Sequence, residues 1–520
     1  MNRKAIVLTV LIFGLTLAAS PLTADGSGQV RVGYQLIDEE GNLGVNQETY
    51  NLYEGPGLSL ENFRLATAGG LNFSANLQNI ARNDRNLTAS VYKSGLFGVA
   101  FNNNQYRRIY AFDGDNYTRR RYTGGSAYIT PFKFLKLYGG FSATDKHGQN
   151  QTVLIPIYDT LETATDYTQT NYNLGARVIT KQASANLEYR NSGFTDYINS
   201  EDRYGHTVRF TGFLPLPQIN WLTVSGGYYF RQDTQEASDI LQKTNQGWIA
   251  GRFSLPRRIT FEYRLRVART EHSAEPASTD NYVNTFSLGY KHKKTAGLKI
   301  GYENRITDDI YNRTTSDGFL FSGWLRYTDL ILLRGQFSGR TRDISDGKTL
   351  TGQSDHIKHQ LSLRLNRDWA ALTIRYAGQI KSNDEIDTEA EYNSFSAEFQ
   401  ARKEGYGSLN FTYSYMVGEF DNRSGDEKQD FEFSDHMLTG GIHPEIYYNF
   451  ETALELTYYR SYRDTDFEKI GFHIEAAYLL PQDYKLGLSY SAYNFDNFLV
   501  NDRYYTGNIV NLYLIKSFTL

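Results

Sequence analysis

Nine histidines and no cysteine limit the chemistry open to this chain. Without a thiol there is no disulfide framework, thiolate metal site, cysteine nucleophile or covalent c-type haem attachment. The histidines are scattered. His356 and His359 are three apart, which on a strand puts the two rings on opposite faces. No G-x-S-x-G, H-E-x-x-H or phosphate-loop pattern occurs, and no Ser/His pair stands out as a hydrolase site. The carboxylates are more suggestive. Residues 381–391 hold Asp384, Glu385, Asp387, Glu389 and Glu391 against one lysine, and residues 416–435 hold seven acids against Arg423 and Lys428. Clustered carboxylates suit Ca2+; a solvated, like-charged loop is the simpler account. A third set is spread along the chain at alternating polar positions: Arg31, Arg177, Arg190, Arg209, Arg252, Glu262, Arg264, Arg266, Arg326, Arg334, Arg364 and Arg375, together with Glu188, Lys299, Glu303, Glu398 and Glu455. Such a set points to binding or conduction, not catalysis.

The elements that position these residues are strands. Val30, Val32, Tyr34 and Leu36 alternate with Gln29, Arg31, Gly33 and Gln35. Ile259, Phe261, Tyr263, Leu265 and Val267 alternate with Thr260, Glu262, Arg264 and Arg266, and the same pattern recurs over 485–492. Period two marks strands with one apolar and one polar face, and no long stretch has helical spacing. The sequence divides into about 26 such strands, most of the 8–11 residues that a tilted strand needs to cross a bilayer. Connections alternate. Short ones fall near Pro131, Lys181, Pro256, Thr328, Arg367 and Pro481, and long ones cover 103–124, 144–170, 269–282 and 416–435. Prolines collect in the short set (Pro131, Pro215, Pro217, Pro256, Pro444 and Pro481), where a missing N–H costs no ladder bond. Short turns on one side and long loops on the other are the outer-membrane pattern, and a soluble sandwich has no reason to segregate them. The expected fold is all-β: a single large closed antiparallel transmembrane barrel, with both termini periplasmic.

Composition agrees. There are 41 Tyr, 31 Phe and 45 Gly, with only 40% hydrophobic residues. Tyrosine pairs such as Tyr413 and Tyr415, Tyr447 and Tyr448, Tyr458 and Tyr459, and Tyr504 and Tyr505 fall near strand ends, where interfacial girdles are expected. Val510, Leu512, Leu514, Phe518 and Leu520 alternate to the end, with Lys516 the one break; that strand is expected to close on the first. A net charge of −4 gives no electrostatic case for nucleic acid. Arg3 and Lys4, the apolar run 5–19 and Ala24 before Asp25 read as a removable export signal over 1–24, leaving 25–520 as the barrel.

A barrel of this size lies beyond the 16 to 18 strands of porins, and the sequence leaves no room for the plug domain of 22-stranded transporters. The stretch Val32-Gly33-Tyr34-Gln35-Leu36, followed by Asn51-Leu52-Tyr53-Glu54-Gly55-Pro56-Gly57-Leu58-Ser59-Leu60, resembles the opening of the decahaem-associated outer-membrane barrels of the MtrB/PioB type. That resemblance implies a barrel that sheathes a multihaem c-type cytochrome and lets electrons cross the outer membrane, with haem carried by the partner and no cofactor held by this chain. Some members carry a C-x-x-C near the mature N-terminus; its absence here means that no redox role carries over. A large porin or substrate-specific channel is the alternative.

Overall fold

The computed structural model describes residues 24–519 apart from 45–50, 111–115, 154–159, 217–218, 220, 274–276, 310–312, 345–354, 384–386, 423–428, 446 and 500–503. The expected export signal lies outside the described residues, save Ala24, which opens the first strand. The strands are β1 (Ala24–Gly41), β2 (Gly55–Thr67), β3 (Leu71–Gln78), β4 (Asn86–Lys93), β5 (Phe97–Ile109), β6 (Tyr117–Phe132), β7 (Leu135–Val153), β8 (Thr160–Ile179), β9 (Ser184–Asp196), β10 (Glu201–Pro215), β11 (Leu222–Gln235), β12 (Ile240–Leu255) and β13 (Ile259–His272). The second half continues with β14 (Ala277–His292), β15 (Ala296–Asp308), β16 (Arg313–Arg326), β17 (Ile331–Ile344), β18 (Asp355–Arg367), β19 (Ala370–Asn383), β20 (Thr388–Lys403), β21 (Gly407–Asn422), β22 (Gln429–His443), β23 (Phe450–Arg463), β24 (Phe467–Leu480), β25 (Tyr484–Asn497) and β26 (Tyr504–Thr519). Each pairs antiparallel with its sequence neighbours. β26 pairs with β1 from Ser27 opposite Thr519 to Gly41 opposite Tyr505, so the 26-stranded sheet is closed and has no edge.

Closure satisfies the backbone within the wall, which a lipid environment demands. The wall is one sheet thick, so the buried apolar set is small and the large apolar side chains lie outside. Val32, Leu174 (68% exposed), Phe319, Leu361 and Leu512 belong to that outer band. At the short-turn rim the band ends in Phe132, Phe134, Trp221, Trp369, Tyr406 and Tyr447, all exposed. Toward the other rim it ends in outward tyrosines whose hydroxyls reach a polar side chain on an adjacent strand. Tyr228 Oη donates to Asn245 Oδ1 (2.6 Å), Tyr263 to Asn284 (3.0 Å), Tyr376 to Asn393 (2.9 Å) and Tyr490 to Asn508 (2.7 Å), while Tyr189 bonds His206 Nδ1 (2.9 Å) and Tyr413 bonds His436 Nδ1 (3.0 Å). These two belts bound the lipid-facing zone. Within the tyrosine pairs Tyr458–Tyr459 and Tyr504–Tyr505 only one member can face lipid: Tyr505 is inward and fully buried, and Tyr459 shares the inward face with Ser461. Lys516, the break in the last strand, sits at the short-turn rim, where its ammonium reaches the Gln482 carbonyl and lies over the Tyr484 ring.

The expected long loops are mostly strand. Residues 144–153 and 160–170 pair as the upper part of the β7–β8 hairpin, whose strands are 19 and 20 residues long, and residues 103–109 and 117–124 pair in β5 and β6. Beyond the lipid both faces of a strand meet water, so pairing continues while hydrophobic alternation stops. The rim is lowest at β3 and β4, each of 8 residues. The connection 79–85 packs there: Arg82 Nε donates to the Pro56 carbonyl (3.0 Å), Arg82 Nη1 to Gln35 Oε1 (3.4 Å) and Asn79 Nδ2 to Asp84 Oδ2 (2.9 Å). Burial holds the Asp84 carboxyl above the usual carboxylate range and outweighs the opposing pull of Arg82.

Candidate functional site: the lumen wall

Recesses shared by distant strands identify the concave face. Asn62 of β2, Arg190 of β9, Arg209 of β10 and Arg231 of β11 line one of them. Arg252, Arg334 and Arg375 line a second, Glu262 and Arg264 a third, and Arg177 with Glu188 a fourth. Register places the remaining four sequence candidates on the same face: Arg31 with its guanidinium 4.3 Å from the Tyr513 ring centroid, Arg266 opposite Trp248, and Arg326 and Arg364 both opposite Leu332.

The wall divides into sectors. From β3 to β8 the residues lining the first recess are uncharged, among them Ser74, Asn102, Ser126, Ser142, Asn171 and Asn173, whereas Lys136 of β7 and Arg177 of β8 line the fourth. From β12 to β19 it is strongly basic. Arg264 lies 3.4 Å from Glu262, Arg305 and Arg340 share Glu303 (3.3 and 2.8 Å), and Arg375 lies 3.4 Å from Glu398 of β20. Toward β23–β25 the turn-side wall is mixed, with Lys485 paired to Glu451 and His443 3.5 Å from Glu455. The sequence candidates therefore do not form one cluster. Arg252, Glu262, Arg264, Arg266, Arg326, Arg334, Arg364 and Arg375 gather on one arc, whereas Arg177, Arg190 and Arg209 sit on β8 to β10 and Arg31 beside β26. Sequence reasoning missed Arg305, Arg340, Arg342 and Lys381 on the same arc. They lie in the water-bathed upper strands, where no apolar alternation flags the inward positions.

Six inward aromatic rings are laid flat. Tyr128 is paired in register with Gly98, Tyr138 with Gly175, Trp248 with Gly227, Trp324 with Gly297, Phe433 with Gly418 and Tyr513 with Gly487. At each of these glycines a β-carbon would collide with the ring. Each ring thus occupies the space its partner's missing side chain leaves, and stays against the wall.

Other chemistry is weak. Ser491 Oγ lies 2.8 Å from His473 Nδ1, a Ser/His contact that no motif announced. Ser491 is buried, and Glu475, 3.9 Å from His473 Nε2, accepts the Tyr513 hydroxyl instead, so the pair is closed to a substrate carbonyl. Of the acidic runs, Asp384, Glu385, Asp426 and Glu427 lie outside the described residues, while Asp435 accepts from Ser461 (2.6 Å) and Glu432 pairs with Arg463. Among the described residues no three His, Asp or Glu side chains are grouped to hold a metal.

No protein-family profile matches the chain, and no curated protein does. Solved structures match in fold. The FrpB iron transporter from Neisseria meningitidis superposes with a TM-score of 0.54 at 9% identity, covering 95% of this chain and 81% of that one. The siderophore receptor PirA from Pseudomonas aeruginosa gives 0.48 at 10% identity, over 95% and 80%. The likeness to FrpB, at 9% identity, is one of fold. Together with the closed sheet, the outer apolar band and its two aromatic belts, it makes this chain a bacterial outer-membrane β-barrel protein.

Proposed function

We propose that this barrel is the sheath of an outer-membrane electron conduit, a polar-lined tube that holds a multihaem c-type cytochrome across the bilayer. The observation that carries the reading is the cleared lumen. Twenty-six strands about 4.8 Å apart and tilted about 40° close to a backbone circle about 50 Å across. Side chains cannot fill that width, and six of the inward rings are folded onto glycines instead of projecting into it. Among the described residues every element but one three-residue 3-10 turn is a strand of the wall. A bore of this size needs an occupant of protein dimensions, and a wall of Asn, Ser, Arg and Glu suits a polar protein surface. The opening stretch of the sequence supplies the class of occupant. Haem belongs to the occupant, and the barrel's part is insulation and alignment.

Purification of the tagged barrel from its native membrane tests this. Haem absorbance is expected to travel with the barrel through size exclusion in fixed ratio. A haem-free barrel with small, selective conductance would favour the alternative, a substrate channel; the basic arc would then select anions.

A further inference from the structure

The basic arc has a form that general pore hydration does not explain. One recess of about 620 Å³ in the turn-side half of the wall is lined by Arg252, Arg258, Lys291, Lys299, Arg334 and Arg375, and its lining includes no carboxylate. Between the cations stand neutral hydrogen-bonding groups such as Ser322, Gln336 and Gln360. Among the described residues Arg252, Lys299, Arg334 and Arg364 have no carboxylate within ion-pairing distance, although elsewhere on the wall Arg190, Arg231 and Arg340 do. Arg375 pairs with Glu398 and Arg252 stands opposite Glu262, but cations remain in excess on this wall; cations in excess repel each other, a cost that an anionic occupant removes.

The direction of the array identifies the kind of anion. Arg252, Lys299, Arg334 and Arg364 each lie within a few residues of their short turn, on β12, β15, β17 and β18. They therefore form a belt around the wall at one height, not a ladder along the axis. Six strand spacings from β12 to β18 span roughly 29 Å, far wider than a small anion. A translocated polyanion would be served by cations stepping from rim to rim. A lateral belt suits a stationary, extended acidic surface.

We propose that the β12–β19 wall docks an acidic face of the protein that fills the lumen, and that this contact fixes the occupant's rotation about the barrel axis. The inference rests on the sheath reading and deepens it by naming the contact and its chemistry.

The test uses the full-length barrel carrying Arg252→Gln, Lys299→Gln, Arg334→Gln and Arg364→Gln, with Arg177→Gln, Arg190→Gln and Arg209→Gln as the control set. Heat-modifiable migration of each reports folding. Two readouts are taken: the salt concentration that strips haem protein from the purified complex, and block of single-barrel current by poly-L-glutamate in planar bilayers. Each belt cation removed is expected to weaken docking about two- to five-fold, so the quadruple variant releases its occupant at clearly lower salt while the control set stays near wild type. Wild-type current is blocked by poly-L-glutamate, and the variant's is not. A variant complex as salt-resistant as wild type overturns the docking face even if the sheath stands. If wild type carries no haem protein, the sheath reading falls, and poly-L-glutamate then decides the basic wall alone: block that the variant loses sustains an acidic-surface site, and absence of block removes it. Passage of polygalacturonate through the barrel makes the belt part of a conduction path and also overturns docking.

Discussion

At Gly297 a β-carbon would run into the Trp324 indole, and at Gly227 into Trp248. Glycine weakens a strand by itself, so its repeated placement opposite an inward ring needs a compensating contact, which the flattened ring supplies. Gly297→Val is expected to cost about 1–3 kcal/mol, the range for forcing a large group into a filled space. The loss should appear as a lower temperature for the heat-modifiable transition, with red-shifted tryptophan emission as the indole lifts into water. Wild-type values for both would remove the packed-ring account. A second residue-scale effect concerns Asp84 in the connection 79–85. Its carboxyl is raised mainly by burial, so the packed loop binds a proton more tightly than the open one. The penalty is present in full above the raised value and is relieved as pH falls toward the ordinary carboxylate range. Amides of 79–85, corrected for intrinsic rates, should exchange faster at neutral pH than in mild acid, and Asp84→Asn should flatten the difference.

At the scale of elements, the short-turn ends were legible and the opposite ends were not. Short turns expected near Pro256, Thr328, Arg367 and Pro481 fall between Leu255 and Ile259, Arg326 and Ile331, Arg367 and Ala370, and Leu480 and Tyr484. At that rim the apolar stripe, the proline or charged turn and the end of pairing coincide. On the other side, the long loop expected over 269–282 is entered by β13 as far as His272 and by β14 from Ala277, and that over 416–435 by β21 as far as Asn422 and by β22 from Gln429. There the outer face leaves lipid before the ladder stops, so hydrophobic pattern marks the membrane boundary and not the strand end. The same offset hid Arg305, Arg340 and Arg342. The sectors of the lumen wall were not legible either, since they depend on which of many similar Arg positions lie on neighbouring strands. The consequence is testable on the β7–β8 hairpin, where Gly148 pairs with Thr165 above the Tyr138–Gly175 level. Removing 149–164 should leave insertion and thermal stability within about 0.5 kcal/mol of wild type. Collapse of the barrel on that deletion would mean that the upper hairpin does more than extend the wall.

For the whole molecule the controlling quantity is width. Barrel diameter grows roughly linearly with strand number, and 16–18 strands already leave an aqueous channel. Twenty-six strands with six inward rings folded flat leave a much wider one unless a second protein occupies it. The outer membrane excludes large hydrophilic antibiotics, so an unoccupied barrel should be costly to the cell. Expression of this chain alone in a host lacking its occupant is expected to lower the inhibitory concentration of vancomycin several-fold, and the purified barrel should pass ionic current well above that of a 16-stranded porin. On the proposed sheath function, co-expression of a haem protein recovered with the barrel should restore exclusion and suppress the current. Restoration should also depend on the basic arc, because charge neutralisation there loosens the occupant without narrowing the tube. An empty barrel with porin-sized, gated conductance and no antibiotic sensitivity would place a constriction within the chain itself, and the case for a sheath would fall with it.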